Sequence, residues 1–281
     1  MRLRDYASGT NAPGESTRFG PRAKIAALGL FLVLLLTAGI SLFVKSESSA
    51  VPTDKVTLCP TKRSPSEIVV ILLVVSDQFS EPQRLQIQHH LARIRDSTPR
   101  FGLVEVYTVD RLGRRVTENV THMCNPGAGD DLSQIYQNPA LARKKWRGFA
   151  DKLTADIDRQ IRAPRLPTSP IFEAIQATGL RTFGKPDYDG LPKQLVIVSD
   201  LMQHVPGGLS MYQQVPPFEK FKNTHYFSRV RGDLKGVSVL VYYLIRSSGP
   251  KQTPDHVQFW RDYFRFQGAT IESVDRVFGD K

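Results

Sequence analysis

The amino-acid sequence predicts an α/β domain: a doubly wound, mostly parallel sheet with one antiparallel edge strand, preceded by one transmembrane helix. Three observations carry that expectation. The run IVVILLVV (68–75) is continuously apolar and rich in β-branched residues, the pattern of a central strand covered on both faces, and VSVLVYYLI (237–245) reads as another buried strand. Segments with apolar residues at spacings of three and four lie between these and other strand-like runs, which is the alternation of crossover units. Residues 25–44, IAALGLFLVLLLTAGISLFV, form a run of 20 residues without a charge. At about 1.5 Å per residue such a run spans a hydrocarbon core of roughly 30 Å.

Residues 1–24 read as a basic, disordered cytoplasmic tail, with Gly, Ser, Thr and Pro concentrated over 9–20. Arg2, Arg4, Arg18, Arg22 and Lys24 precede the span, whereas beyond it Lys45 and Lys55 are offset by Glu47 and Asp54. The positive-inside bias therefore puts the amino terminus in the cytoplasm and the main domain outside it, in the periplasm if the organism is bacterial. The apolar run exceeds the core of a cleaved signal peptide, about 7–15 residues, although Ser48-Ser49-Ala50 has the form of a cleavage site. An uncleaved signal-anchor is expected, making this a single-pass membrane protein. Residues 45–66, with Pro52, Pro60 and Pro65, read as a linker, and 67–281 as the domain.

Within the domain, 68–75 is the first strand. Pro82 sits in the first turn of a helix over 83–96, where Leu85, Ile87, His90, Leu91 and Ile94 fall near helical spacing. FGLVEVYTV (101–109) alternates as the second strand, and RVTENVTHM (115–123) returns past Gly113 as the antiparallel edge strand. Cys124-Asn125-Pro126-Gly127 breaks the pattern. A long basic helix over 141–161 then packs the stripe Trp146, Phe149, Leu153, Ile157 and Ile161 on the sheet. A Pro-rich loop leads to a helix over 171–183 and the strand 194–198. Residues 218–230 read as a short helix with exposed aromatics, followed by the strand 237–245. A helix over 254–267 has Phe259, Trp260, Tyr263 and Phe264 on its apolar side, and 270–274 supplies the last strand.

The formal charge of +11 divides unevenly: residues 46–281 hold 32 Lys or Arg against 25 Asp or Glu, or +7. A basic surface favours anionic partners. The basic runs 111–115 and 143–145, however, lack the interleaved aromatics of a nucleic-acid groove, so no nucleic-acid partner is expected. Cys59 and Cys124 both fall on the outer side of the span, and an even count in an oxidising compartment permits one disulfide. No nucleophile elbow, phosphate loop, dinucleotide fingerprint or His-Glu-x-x-His occurs. No catalytic residue is assigned and no organic cofactor is expected. Asn119-Val120-Thr121 is a glycosylation sequon, and the six histidines stand without a ligand partner recognisable by spacing.

Two apolar strands run into the same dipeptide, Ser76-Asp77 and Ser199-Asp200. In open α/β sheets ligands bind in the crevice outside the carboxyl ends of the strands. In this order and spacing, the chain resembles the von Willebrand factor A domain family over about residues 66–278. The resemblance rests on the early buried strand running into Asp77, on SPIFEAI (169–175) where the family carries a Thr-x-x-x-x-Ala-Leu helix start, and on LVIVSD (195–200) where it carries a strand ending in Asp. It implies a VWA-like Rossmannoid fold and a site for Mg²⁺ or another divalent cation on top of the sheet, built from oxygen ligands. Carried over by position, Asp77, Ser169 and Asp200 are the metal ligands, with Ser80, Glu81 and Thr168 as further candidate donors.

The first loop departs from the family's Asp-x-Ser-x-Ser. Phe79 and Glu81 stand where the serines should be, and Ser80 is out of step. Phe79 offers no oxygen and Glu81 adds a charge, so the resemblance implies a degenerate metal site. The other reading of the two aspartates is structural, as caps of helix N-termini. Both readings bring Asp77, Ser169 and Asp200 close together.

For function, the resemblance implies a membrane-anchored extracytoplasmic binding module that mediates protein–protein interaction within an envelope assembly, its protein partner unidentified. Two alternatives stay open. One is a metal-dependent hydrolase in which Asp77 and Asp200 hold an ion that activates water. The other is a structural protein whose degenerate site binds nothing.

Overall fold

The strands are β1 (Ile68–Leu73), β2 (Leu103–Val109), β3 (Thr117–Cys124), β4 (Lys193–Ser199), β5 (Val237–Leu244) and β6 (Thr270–Val277). They form one six-stranded sheet of order β3-β2-β1-β4-β5-β6, in which only β3 runs antiparallel to its neighbour. The computed structural model describes residues 28–37, 39, 51–74, 76–110, 116–129, 138–164, 166–246 and 252–279. The helices of the domain are α1 (Glu81–Ser97), α2 (Pro139–Ile161), α3 (Ile171–Thr178), α4 (Phe218–Phe221), α5 (His225–Val230) and α6 (Pro254–Phe266).

The continuous apolar run of β1 has a simple cause. Successive side chains of a strand point to opposite faces, and here both faces are covered. Ile68, Val70 and Leu72 join a core with Ile175 of α3, Phe221 of α4, Phe227 of α5 and Trp260 of α6. Val69, Ile71 and Leu73 join a second core with Ile87 and Leu91 of α1 and Phe149 and Leu153 of α2. A sheet sandwiched between two helical layers is the doubly wound architecture that the sequence predicts. Chain order fixes where its crevice lies. From β1 the chain proceeds outward to β2 and β3, then crosses back to β4 on the other flank of β1. The gap above β1 and β4 is therefore the topological switch point, where loops diverge and leave room for a ligand.

Several boundaries differ from expectation for local reasons. The predicted helix over 171–183 stops as α-helix at Thr178 and continues as one wide turn, Gly179–Phe183, closed by Gly184 N–H to the Gly179 carbonyl at 3.0 Å. The segment 218–230 divides into two short helices, because Thr224 Oγ1 accepts from Phe227 N at 3.1 Å and starts a new helix. Its aromatics are not exposed as expected. Phe218, Phe221 and Phe227 are buried against Phe259, Phe266 and Tyr226, a cluster that periodicity within so short a segment does not reveal.

The chain divides into two units, Met1–Ala50 and Val51–Lys281. Residues 51–66, expected as the end of the linker, belong to the second unit. Cys124 N donates to the Thr57 carbonyl at 2.8 Å, and a disulfide joins Cys59 to Cys124, with Cα atoms 4.7 Å apart. Of the expected membrane span, residues 28–37 and 39 are helical, and the remainder lies outside the described residues. Among the described residues no helix is long and apolar enough to cross a membrane.

Candidate functional site

The crevice at the switch point is built from three loops. Ser76 and Asp77 follow β1, residues 166–169 precede α3, and Asp200 to Tyr212 follow β4. Leu166 N–H donates to the Ser76 carbonyl at 3.1 Å, tying the first loop to the second. Ser169 and His204 exchange backbone hydrogen bonds of 2.8 and 3.0 Å, tying the second to the third. Together these loops line an open cavity of about 310 Å³ whose walls include Ser76, Asp77, Thr168, Ser169, His204 and Tyr212.

Ser169 is only 1% exposed, and its Oγ has no hydrogen-bond partner among the described residues. A buried hydroxyl left without a partner costs about 1–3 kcal/mol, and this one belongs to a residue lining the cavity. Thr168 lies beside it, half-buried on the same wall. His204 Nδ1 and Ser210 Oγ lie 3.0 Å apart, which fixes the imidazole on the rim. The Tyr212 ring stands edge-on to His204, and its hydroxyl titrates above the usual range because of partial burial and the negative charges of Asp200 and Asp77.

Asp200 lies behind this wall, 1% exposed. Its Oδ1 accepts from Met202 N at 3.1 Å and its Oδ2 from Arg246 Nε at 3.1 Å. Burial pushes its carboxyl up, and the Arg246 guanidinium and the Met202 amide oppose that shift without cancelling it. The next residue, Leu201, has φ +56°, a left-handed conformation unfavourable for a branched side chain. Its carbonyl is held at 3.0 Å by Trp260 Nε1 and at 3.0 Å by His256 Nε2. His256 Nδ1 in turn accepts from the Tyr243 hydroxyl at 2.7 Å. The buried face of α6 thus imposes the turn that carries Asp200.

The expected donors separate into two groups. Asp77, Thr168 and Ser169 line one cavity, and Asp77 and Asp200 are near enough for the charge of one to act on the other. Ser80 and Glu81 are elsewhere. Ser80 is the N-cap of α1 in a capping box with Gln83, and its Oγ donates to the Gly279 carbonyl at 3.0 Å. Glu81 is exposed in the first turn of α1 and pairs with Arg84. Phe79 packs against the α1–α2 core. Helix capping therefore falls to Ser80, and at α3 to Gln203, whose Oε1 accepts from Ile171 N at 2.6 Å and Phe172 N at 3.1 Å. The N-cap positions of α1 and α3 are Ser80 and Pro170.

These residues do not fit a divalent ion. Both Asp200 oxygens are engaged, one of them by a cation, and the first loop brings no hydroxyl to the crevice beyond Ser76. Among the described residues no three His, Cys, Asp or Glu side chains converge as ligands.

Sequence reasoning missed Arg246, Gln203, His204, Tyr212 and Gln252. A signal for Arg246 existed, since it directly follows the apolar strand read over 237–245, at a strand end like Asp77 and Asp200. For Gln203 and Gln252 no local signal exists. Gln252 is recruited across the fold, its Nε2 donating to the Leu244 carbonyl at 2.8 Å and the Asp200 carbonyl at 3.2 Å.

No protein-family model and no curated protein matches the chain. Three solved structures to which it is similar cover most of its length at low identity. The conserved hypothetical protein BatB from Bacteroides thetaiotaomicron is 11% identical over 77% of this chain and 92% of its own, with a TM-score of 0.38. The SpRpn10 VWA domain is 11% identical over 76% and 89%, with a TM-score of 0.40. An aerotolerance-related membrane protein from Bacteroides fragilis is 12% identical over 74% and 91%, with a TM-score of 0.34.

Proposed function

We propose that this chain is a membrane-anchored, extracytoplasmic binding module that docks a protein partner at the crevice above β1 and β4. The observation that carries this reading is Ser169 Oγ, buried and unpartnered among the described residues, in the wall of a cavity of about 310 Å³ at the switch point. A hydroxyl kept there at a cost to the fold is explained by a hydrogen bond formed with a ligand. The rim adds a fixed His204 and a half-exposed Tyr212, a residue type enriched at protein interfaces. The 20-residue apolar span behind a basic tail supports the anchor and the orientation. The Cys59–Cys124 disulfide supports an oxidising compartment.

The test uses the full-length protein in its own membranes, with a photo-crosslinking amino acid at Tyr212 and, as control, at Asp187, which precedes β4 at the opposite end of the sheet. Docking predicts one saturable adduct from Tyr212 that Ser169→Trp abolishes. Equal labelling from both positions would sink the reading in favour of a structural component with a non-binding crevice.

A further inference from the structure

We infer that Arg246 takes the place of the divalent ion implied by the resemblance, so that this crevice is built around a covalently supplied cation and is indifferent to metal. The ion that the resemblance implies would be held by Asp77 in the loop after β1 and Asp200 in the loop after β4. Arg246 ties the same two loops. It stands beyond β5, two residues after Leu244, and reaches back over β4. Its Nε donates to Asp200 Oδ2 at 3.1 Å, and its Nη1 donates to the Gln78 carbonyl, next to Asp77, at 3.0 Å. One guanidinium thus bridges the two loops.

The arginine is itself held. Its backbone N–H donates to Gln252 Oε1 at 2.8 Å, and Gln252 Nε2 donates to the carbonyls of Leu244 and Asp200. A divalent ion approaching Asp200 would meet a fixed positive charge in a water-poor setting, where repulsion is poorly screened. It would also find Asp200 Oδ1 committed to Met202 N and Ser80 Oγ committed to Gly279. The departures in the first loop then have one explanation. With the cation supplied from β5, hydroxyl donors after Asp77 have no ion to hold, and Phe79 joins the core while Ser80 caps α1. Arginine stays charged at any physiological pH and cannot be chelated, so the bridge is permanent.

The experiment is metal binding by the full-length protein in detergent, measured by equilibrium dialysis with elemental analysis and by thermal melts with and without chelator. The wild type is expected to retain no stoichiometric Mg²⁺ or Mn²⁺ at about 1 mM ion, the weak end of biological sites, and to melt identically in both conditions. One ion per chain in the wild type, lost in Asp200→Asn, would overturn the inference. Arg246→Gln, which frees Asp200 Oδ2, is expected to bind Mn²⁺ at least about tenfold more tightly than the wild type. Arg246→Lys, which keeps the charge, is expected to stay metal-free. A folded Arg246→Gln protein with no gain in Mn²⁺ affinity would refute the assignment of Arg246 as the replacement. Were that variant to fail to fold, the wild-type measurement and Arg246→Lys would still decide.

Discussion

Arg246 Nε meets Asp200 Oδ2 at 3.1 Å with 15% and 1% of the two side chains exposed, an enclosed ion pair between the segments that follow β5 and β4. Breaking a buried pair by removing one partner costs roughly 3–5 kcal/mol, whereas replacing both by apolar groups of similar volume is close to neutral. Arg246→Ala is therefore expected to lose about 3–5 kcal/mol in urea denaturation, and the double variant Asp200→Leu, Arg246→Met to recover most of it. A single-variant loss below about 1 kcal/mol would mean that the pair is solvated like a surface bridge.

Ser169→Ala is expected to raise stability by about 1 kcal/mol, since it removes a buried hydroxyl that has no partner among the described residues. The same variant should weaken the Tyr212 crosslink described above. Chemical denaturation reads the first effect and adduct yield the second; a destabilised Ser169→Ala protein would place the hydroxyl in the fold's own hydrogen bonding.

Burial without a carboxylate partner pushes the His256 imidazole from its usual value near 6.5 down to about 4, with the Leu201 carbonyl opposing the shift. The native state then holds fewer protons than the unfolded chain between these values, so stability rises with pH across that window. The contribution is complete above about pH 6.5 and is lost as pH falls toward 4, amounting to about 3 kcal/mol in all. Denaturation midpoints from pH 7.5 to 4.5 should fall less steeply in His256→Gln, which hydrogen-bonds without titrating.

The Cys59–Cys124 disulfide spans a sequence separation of 65 and fastens 51–66 to the edge strand β3. Closing a loop of that length stabilises a fold by about 2–4 kcal/mol. The Cys59→Ser, Cys124→Ser variant should lose that amount in guanidinium denaturation, and reductant should lower the wild-type midpoint to the same value.

The layered sheet was legible in the sequence because its signals are local. A strand buried on both faces must be apolar nearly throughout, as 68–73 is at every position and 237–244 at every position but Ser238, and a helix on a sheet must repeat its apolar residues every three or four positions, as 149–161 do. Pairing in a crevice is not local. Phe79 and Glu81 showed that the first loop departs from the family, but not what fills the gap. The residue that does so, Arg246, stands 46 positions from Asp200, and the glutamine that braces it stands 52 positions away.

By itself the sequence determined the doubly wound class, the antiparallel edge, the two strand ends that bound the crevice, and an apolar run of spanning length. Periodicity and strand-end position encode these one segment at a time. Only the tertiary structure decided which charge Asp200 faces, that Ser80 serves α1, and that the aromatics of 218–230 turn inward. Each of those outcomes depends on a partner from another strand or helix, and the packing of α6 and the loop after β5 brings that partner within 3 to 4 Å.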